Sequence, residues 1–143
     1  QMQTFWYRKL LLQQRTALTR LEEDIAGNTK ESGGEDSKKL QHLVVHLRKA
    51  CNHPYLFSGA EPETDEPEEI IDASGKLKVL DGLLQRLKAK GHRVVLFSQF
   101  TRMLDILEDF IALKGYTYAR LDGQTNRVQR SVDIAAFNRP ESP

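Results

Sequence analysis

Two short stretches gather side chains that suit a sugar-phosphate chain. Ser98, Gln99 and Thr101 follow one apolar run, and Arg120, Asp122, Gly123, Gln124 and Thr125 close another. Backbone amides at a helix start favour phosphate, and a glycine lets backbone approach it closely. Hydroxyl, amide and guanidinium groups donate to phosphate without reading base sequence. A blander chemistry competes at each place. Asp-Gly is a tight-turn signature, Asn126 can cap a helix, and Thr101 can cap the one after Phe100. A carboxylate facing phosphate would repel it, so Asp122 is expected to organise its loop. Lys76, Arg48 and Lys49 could also meet phosphate, but rank below the two loops because solvated lysines are common.

Other residues suggest other ligands. Asp105 and Asp109 share a helix face with Glu108 beside them, a surface able to take a basic peptide or simply water. His42, His46, Cys51 and His53 hold four nitrogen and sulfur donors, enough for tetrahedral zinc. Their spacing matches no common zinc module, and no metal site is assigned. In the competing reading Cys51 packs, while Asn52 and His53 bond loop backbone. Trp6 and Tyr7 read as packing anchors.

The elements that would position these groups are set by periodicity. Thr4 to Ile25 reads as one long helix, residues 26–37 as a loop, and Lys38 to Ala50 as a second helix ended by Pro54. Glu61 to Asp72 holds seven acidic residues and no basic one, so it reads as an extended linker. Ser74 caps a helix that Gly91 stops. The apolar run 93–97 and the run 116–121 read as parallel strands joined by the crossover helix after Thr101, and a last helix runs from Asn126 to Phe137. The expected class is α/β.

The 143 residues carry a formal net charge of +1, which gives no global attraction to nucleic acid or anionic lipid. Any such contact must be local. A lone cysteine permits no internal disulfide and suits a reducing compartment. No apolar run nears the roughly 20 residues that span a bilayer, so no membrane partner is expected.

Four blocks in order carry a resemblance: Leu47 to Phe57 (Leu-Arg-Lys-Ala-Cys-Asn-His-Pro-Tyr-Leu-Phe), Ser74 to Leu77, Val95 to Leu107, and Tyr118 to Thr125 followed by Ala136-Phe137-Asn138. Together they resemble the Swi/Snf-type ATPases of helicase superfamily two, most of all the imitation-switch (ISWI) class of nucleosome remodelers. The resemblance implies a helical protrusion over 1–57, an acidic linker over 58–73, and over 74–143 the first half of a RecA-like helicase C-terminal lobe. It implies a nuclear, ATP-driven DNA translocase whose partners are nucleosomal DNA and a histone tail. Ser98, Gln99, Thr101, Arg120, Gly123, Gln124, Thr125 and Lys76 would face DNA backbone, and Asp105, Glu108 and Asp109 the tail.

ATP and magnesium would belong to the parent protein. The chain has no phosphate-cradling loop ending in Gly-Lys-Ser/Thr, and Ser74-Gly75-Lys76 is not one. A first ATPase lobe and the rest of lobe two are therefore expected elsewhere, with no catalytic residue, cofactor or ATP turnover in this stretch alone. The alternatives are a non-catalytic module that binds DNA or a histone tail, and a DNA-repair translocase of the same superfamily.

Overall fold

The computed structural model describes residues 2–25, 34–62, 68–140 and 142. Its helices are α1 Met2–Gln13, α2 Arg15–Ile25, α3 Gly34–Asn52, α4 Glu69–Asp72, α5 Gly75–Ala89, α6 Thr101–Leu113 and α7 Arg127–Asn138, with a 3-10 turn at Pro54–Leu56. Among the described residues there is no strand, which overturns the α/β expectation and the partial RecA-like lobe of parallel strands. Segments 93–97 and 116–121 have no regular structure, and no backbone hydrogen bond joins one to the other. A strand is defined by bonds to a neighbour, whereas an apolar run is only a local pattern. Here the run lies open: Val95 is 62% exposed and Phe97 90%.

Other boundaries also differ. The long first helix is interrupted at Gln14, whose N–H is shared between the carbonyls of Leu10 (3.3 Å) and Leu11 (3.2 Å). Residues 34–37, expected as loop, already belong to α3; 26–33 lie outside the described residues. The acidic linker contains the single turn α4, while 63–67 lie outside the described residues. Cap chemistry agrees better. Ser74 Oγ accepts from Leu77 N at 3.3 Å and Asn126 Oδ1 from Gln129 N at 2.7 Å. Gly91 and Gly115, at φ +71° and +64°, close α5 and α6. Each ends in paired bonds, His92 N to Leu87 O with Gly91 N to Lys88 O, and Tyr116 N to Ile111 O with Gly115 N to Ala112 O. Thr101, by contrast, is the first residue of α6, and Phe100 stands at the cap position without a side-chain bond.

Two apolar clusters form the interior. Leu10, Leu43, Ala50 and Phe57 tie α1 to α3, with Trp6 stacked on Phe57 at 4.3 Å between ring centres. Leu77, Met103, Ile106, Leu107 and Phe110 pack α5 against α6, and Tyr55 and Leu56 of the 3-10 turn enter the same cluster. The spacing of 103, 106, 107 and 110 puts those four side chains on one stripe of α6.

A polar centre joins the two clusters. His53 is fully buried; its Nδ1 accepts from Tyr55 N at 3.2 Å, so its Nε2 is the protonated nitrogen and donates to Ile70 O at 2.7 Å. Ser74 Oγ donates to Asn52 O at 2.9 Å, and Lys76 Nζ to Asn52 Oδ1 at 2.6 Å. Gln3 Nε2 donates to Ala50 O and its Oε1 accepts from Gly75 N, both at 2.9 Å. One amide thus fills an open carbonyl at the end of α3 and an open N–H at the start of α5.

Burial lowers the His53 pKa from 6.5, opposed by the Ile70 carbonyl and by Glu61. Below 6.5 the unfolded chain therefore binds more protons than the folded one, so stability is complete above that value and falls as pH drops through it. Thermal melts from pH 8 to pH 5 should show that loss, and His53→Gln should flatten it while lowering the melting temperature at pH 8. Phe110→Ala, which empties a fully buried site, should cost about 3–5 kcal/mol in urea titration.

Candidate functional site

The residues expected to face DNA fall in three places. Lys76 sits at the start of α5, bonded to Asn52 in the polar centre. The others lie in two segments, 120–125 and, at the start of α6, 98–101. Segment 98–100 leads into it, and Ser98 Oγ accepts from Phe100 N at 3.2 Å, a local turn that sets the entry of the chain. Gln99 is exposed. Phe100 gives the start of α6 no side-chain cap, and Met103 N donates to Phe100 O at 3.0 Å.

Loop 122–125 is tied to α6 through Arg120, which reaches Asp105 and Glu108, about 6 Å and about 10 Å along the helix axis from its first residue. Asp122 organises this loop. Its Oδ1 accepts from Gln124 N at 2.9 Å and its N–H donates to Thr125 Oγ1 at 3.0 Å. Asp122 is held below the usual carboxylate range, first by the Gln124 amide, then by Arg120 and Thr125. Gly123 is at ordinary φ, and a Cβ there would meet nothing within 4 Å. A shallow concavity of about 330 Å³ opens here, lined by Arg120, Asp122, Gln124, Thr125, Asn126 and Gln129.

The acidic face is drawn into the same place. Arg120 Nη1 binds Asp105 Oδ1 at 2.7 Å and also Glu108 Oε2, while Nε binds Asp122 Oδ2 at 2.9 Å. Asp105, then Glu108 and Asp122, hold the guanidinium more firmly protonated than usual. Tyr118 bonds Glu108, which pushes the phenol pKa up. Sequence spacing put Asp105, Glu108 and Asp109 on one helix and Arg120 near the end of an expected strand. It gave no sign that two of the acids would be bridged by that arginine, since the contact depends on how residues 114–120 return along α6.

A larger open groove of about 780 Å³ lies on α1 between Phe5, Arg8, Lys9, Leu12, Thr4 and Gln13. It holds none of the residues singled out for chemistry, so the α6 end remains the candidate site. The zinc reading does not hold for His53, whose two ring nitrogens both have backbone partners. His46 lies against the Phe57 ring at 5.9 Å, and Cys51 is exposed. Nor do the described residues fit ATP with magnesium. They hold no group of three or more His, Cys, Asp or Glu side chains placed to bind a metal. No helix among the described residues is long and apolar enough to cross a membrane.

Comparison with known proteins gives the context. The helicase conserved C-terminal domain matches residues 75–143. The chain is 52% identical over 78% of its length to a probable ATP-dependent DNA helicase, CHR23, of Arabidopsis thaliana. It is 48% identical over 99% of its length to the human SWI/SNF-related matrix-associated actin-dependent regulator of chromatin subfamily A member 1. It is 44% identical, again over 99%, to the ISWI chromatin-remodeling complex ATPase ISW2 of Saccharomyces cerevisiae. The chain spans 10%, 13% and 12% of these relatives.

The cap geometry makes one direct prediction. Asn126→Ala removes the bond to Gln129 N and should cost about 1 kcal/mol, read as faster amide exchange in the first turn of α7.

Proposed function

Because the chain belongs to the Swi/Snf-type helicases, its residues 75–143 forming a helicase conserved C-terminal domain, we propose that it serves an ATP-dependent chromatin-remodelling motor acting in the nucleus. Its own share is contact with the DNA backbone. The observation that carries this reading is the 48% identity, over 99% of the chain, with a regulator of chromatin. The geometry supports it at the α6 end, where Gln99, Gln124 and the uncapped helix start are open to solvent and Gly123 leaves room for a phosphate. Ser98, Thr101 and Thr125 complete that surface, Arg120 stands behind it among its carboxylates, and Lys76 is a separate contact beside the polar centre. Residues 1–57 and 74–143 would act as protrusion and lobe, with 58–73 between them.

ATP and magnesium would belong to the full-length protein, with none expected on this stretch alone. The histone tail is assigned to the α6 face of Asp105, Glu108 and Asp109. Asp109 is the carboxylate of the three that Arg120 does not hold. In the full-length protein, Asp109→Lys should reduce stimulation of ATPase by a basic tail peptide, and unchanged stimulation would remove that assignment.

The DNA contact is tested at Gly123. Alanine fits there without strain and should leave the melting temperature level or slightly raised. The same change brings a methyl group between backbone and phosphate. Gly123→Ala and Gln99→Ala should each weaken duplex binding by the full-length protein about threefold or more, in line with a lost polar contact of ~1 kcal/mol. Affinity equal to wild type in both would sink the backbone-contact reading. DNA binding without nucleosome-stimulated ATP hydrolysis would favour a non-catalytic module instead.

A further inference from the structure

We infer that Arg120 is a positioning residue that fastens loop 122–125 to α6, with Asp105 and Glu108 as its anchors, and that it does not itself meet phosphate. The inference rests on the proposed function, in which this loop faces DNA. The guanidinium is ringed by three carboxylates, those of Asp105, Glu108 and Asp122. Its side chain is 24% exposed. A phosphate arriving here would have to displace carboxylates already in bonding distance, beside a local surplus of negative charge. What the arginine does instead is visible in the order of bonds. Helix α6 holds Arg120; Arg120 Nε holds Asp122 Oδ2; and Asp122 Oδ1 holds the backbone N–H of Gln124. Asp122 N–H in turn donates to Thr125 Oγ1. Arg130 Nη2 steadies the same loop through Asp122 O at 2.8 Å. The planar fork matters: Nη1 and Nε point to different acids at once, which a lysine ammonium on its flexible stem does not reproduce.

This assignment and direct phosphate contact predict opposite signs for one experiment. Neutralising the anchors, Asp105→Asn with Glu108→Gln, removes two negative charges. If Arg120 touched DNA, freeing it should tighten binding. If it positions the loop, binding should weaken about threefold to tenfold even though repulsion has fallen. Arg120→Lys should weaken binding as much as Arg120→Gln does. Neither should change the slope of log affinity against log salt, whereas a lost phosphate contact lowers that slope by about 0.9. Amide exchange gives a reading independent of DNA. It should quicken at Gln124 and Thr125 in the anchor variant while Phe110 stays protected. Tighter binding by the anchor variant, rescue by lysine, a reduced salt slope, or unchanged exchange at Gln124 and Thr125 overturns the inference. If Gly123→Ala weakens binding and the anchor variant tightens it, only the role of Arg120 falls. If Gly123→Ala and Gln99→Ala both leave affinity unchanged, the loop does not face DNA, and both readings fall.

Discussion

A neutral imidazole at full burial sets the terms for the rest of the molecule. His53 accepts from the backbone two residues on and donates to a carbonyl of α4, so one ring fixes the 3-10 turn and docks the segment that leads into α5. Burying such a group without both partners would leave a desolvated polar atom, which is costly. The apolar clusters on either side supply more burial, but they could slide; the ring cannot, because each nitrogen has one partner. Asn52, Ser74 and Gln3 then bond to the same junction, where α3 ends and α5 begins. Tyr55 and Leu56 are delivered into the α5–α6 cluster by this turn.

From that junction the candidate site is placed by leverage. Leu77 and Phe110 lock α5 to α6, which fixes where α6 starts and which face it turns outward. Asp105 and Glu108 lie on that outward side, and the returning chain is caught there by Arg120. The electrostatics are therefore mixed at close range. An arginine that reads as free positive charge in one dimension is the middle of an acidic ring in three. An anion that binds nearby gains little from Arg120, whose charge is already matched, and depends on amides, dipoles and the Arg130 guanidinium at Asp122 O.

Helices α3, α5, α6 and α7, Ser74 and Asn126 as caps and the two helix-ending glycines were legible because each is written within a few residues, whereas the break at Gln14 and the turn α4 were not. Leu77, Leu80, Leu84 and Leu87 declare α5 by spacing alone. The strands were not, for a physical reason. Arg93 to Phe97 has the composition of buried sheet, yet a ladder needs a second backbone at hydrogen-bonding distance, and periodicity says nothing about where that backbone is. Thr101 failed as a cap for a smaller reason, since the hydroxyl of Ser98 takes the nearby N–H of Phe100 and the helix opens one residue earlier than expected, at Thr101 itself. The family resemblance was legible in four blocks, but two of those blocks owe part of their character to packing. Asn52 and His53 serve the junction, and Arg120 and Asp122 serve the loop. Residue identity named the side chains, and only distances showed which of them bond to one another.

Helix α7 lacks any comparable support. It buries no side chain. It is tethered at its ends, by Arg130 to the carbonyl of Asp122 and by Arg93 to the carbonyls of Phe137 and Arg139. Cooperative melting requires shared apolar contact, so a helix held by a few exposed polar links opens on its own, at a small fraction of the global free energy. Denaturation should then run in sequence: α7 frays first, and the junction around His53 gives way last.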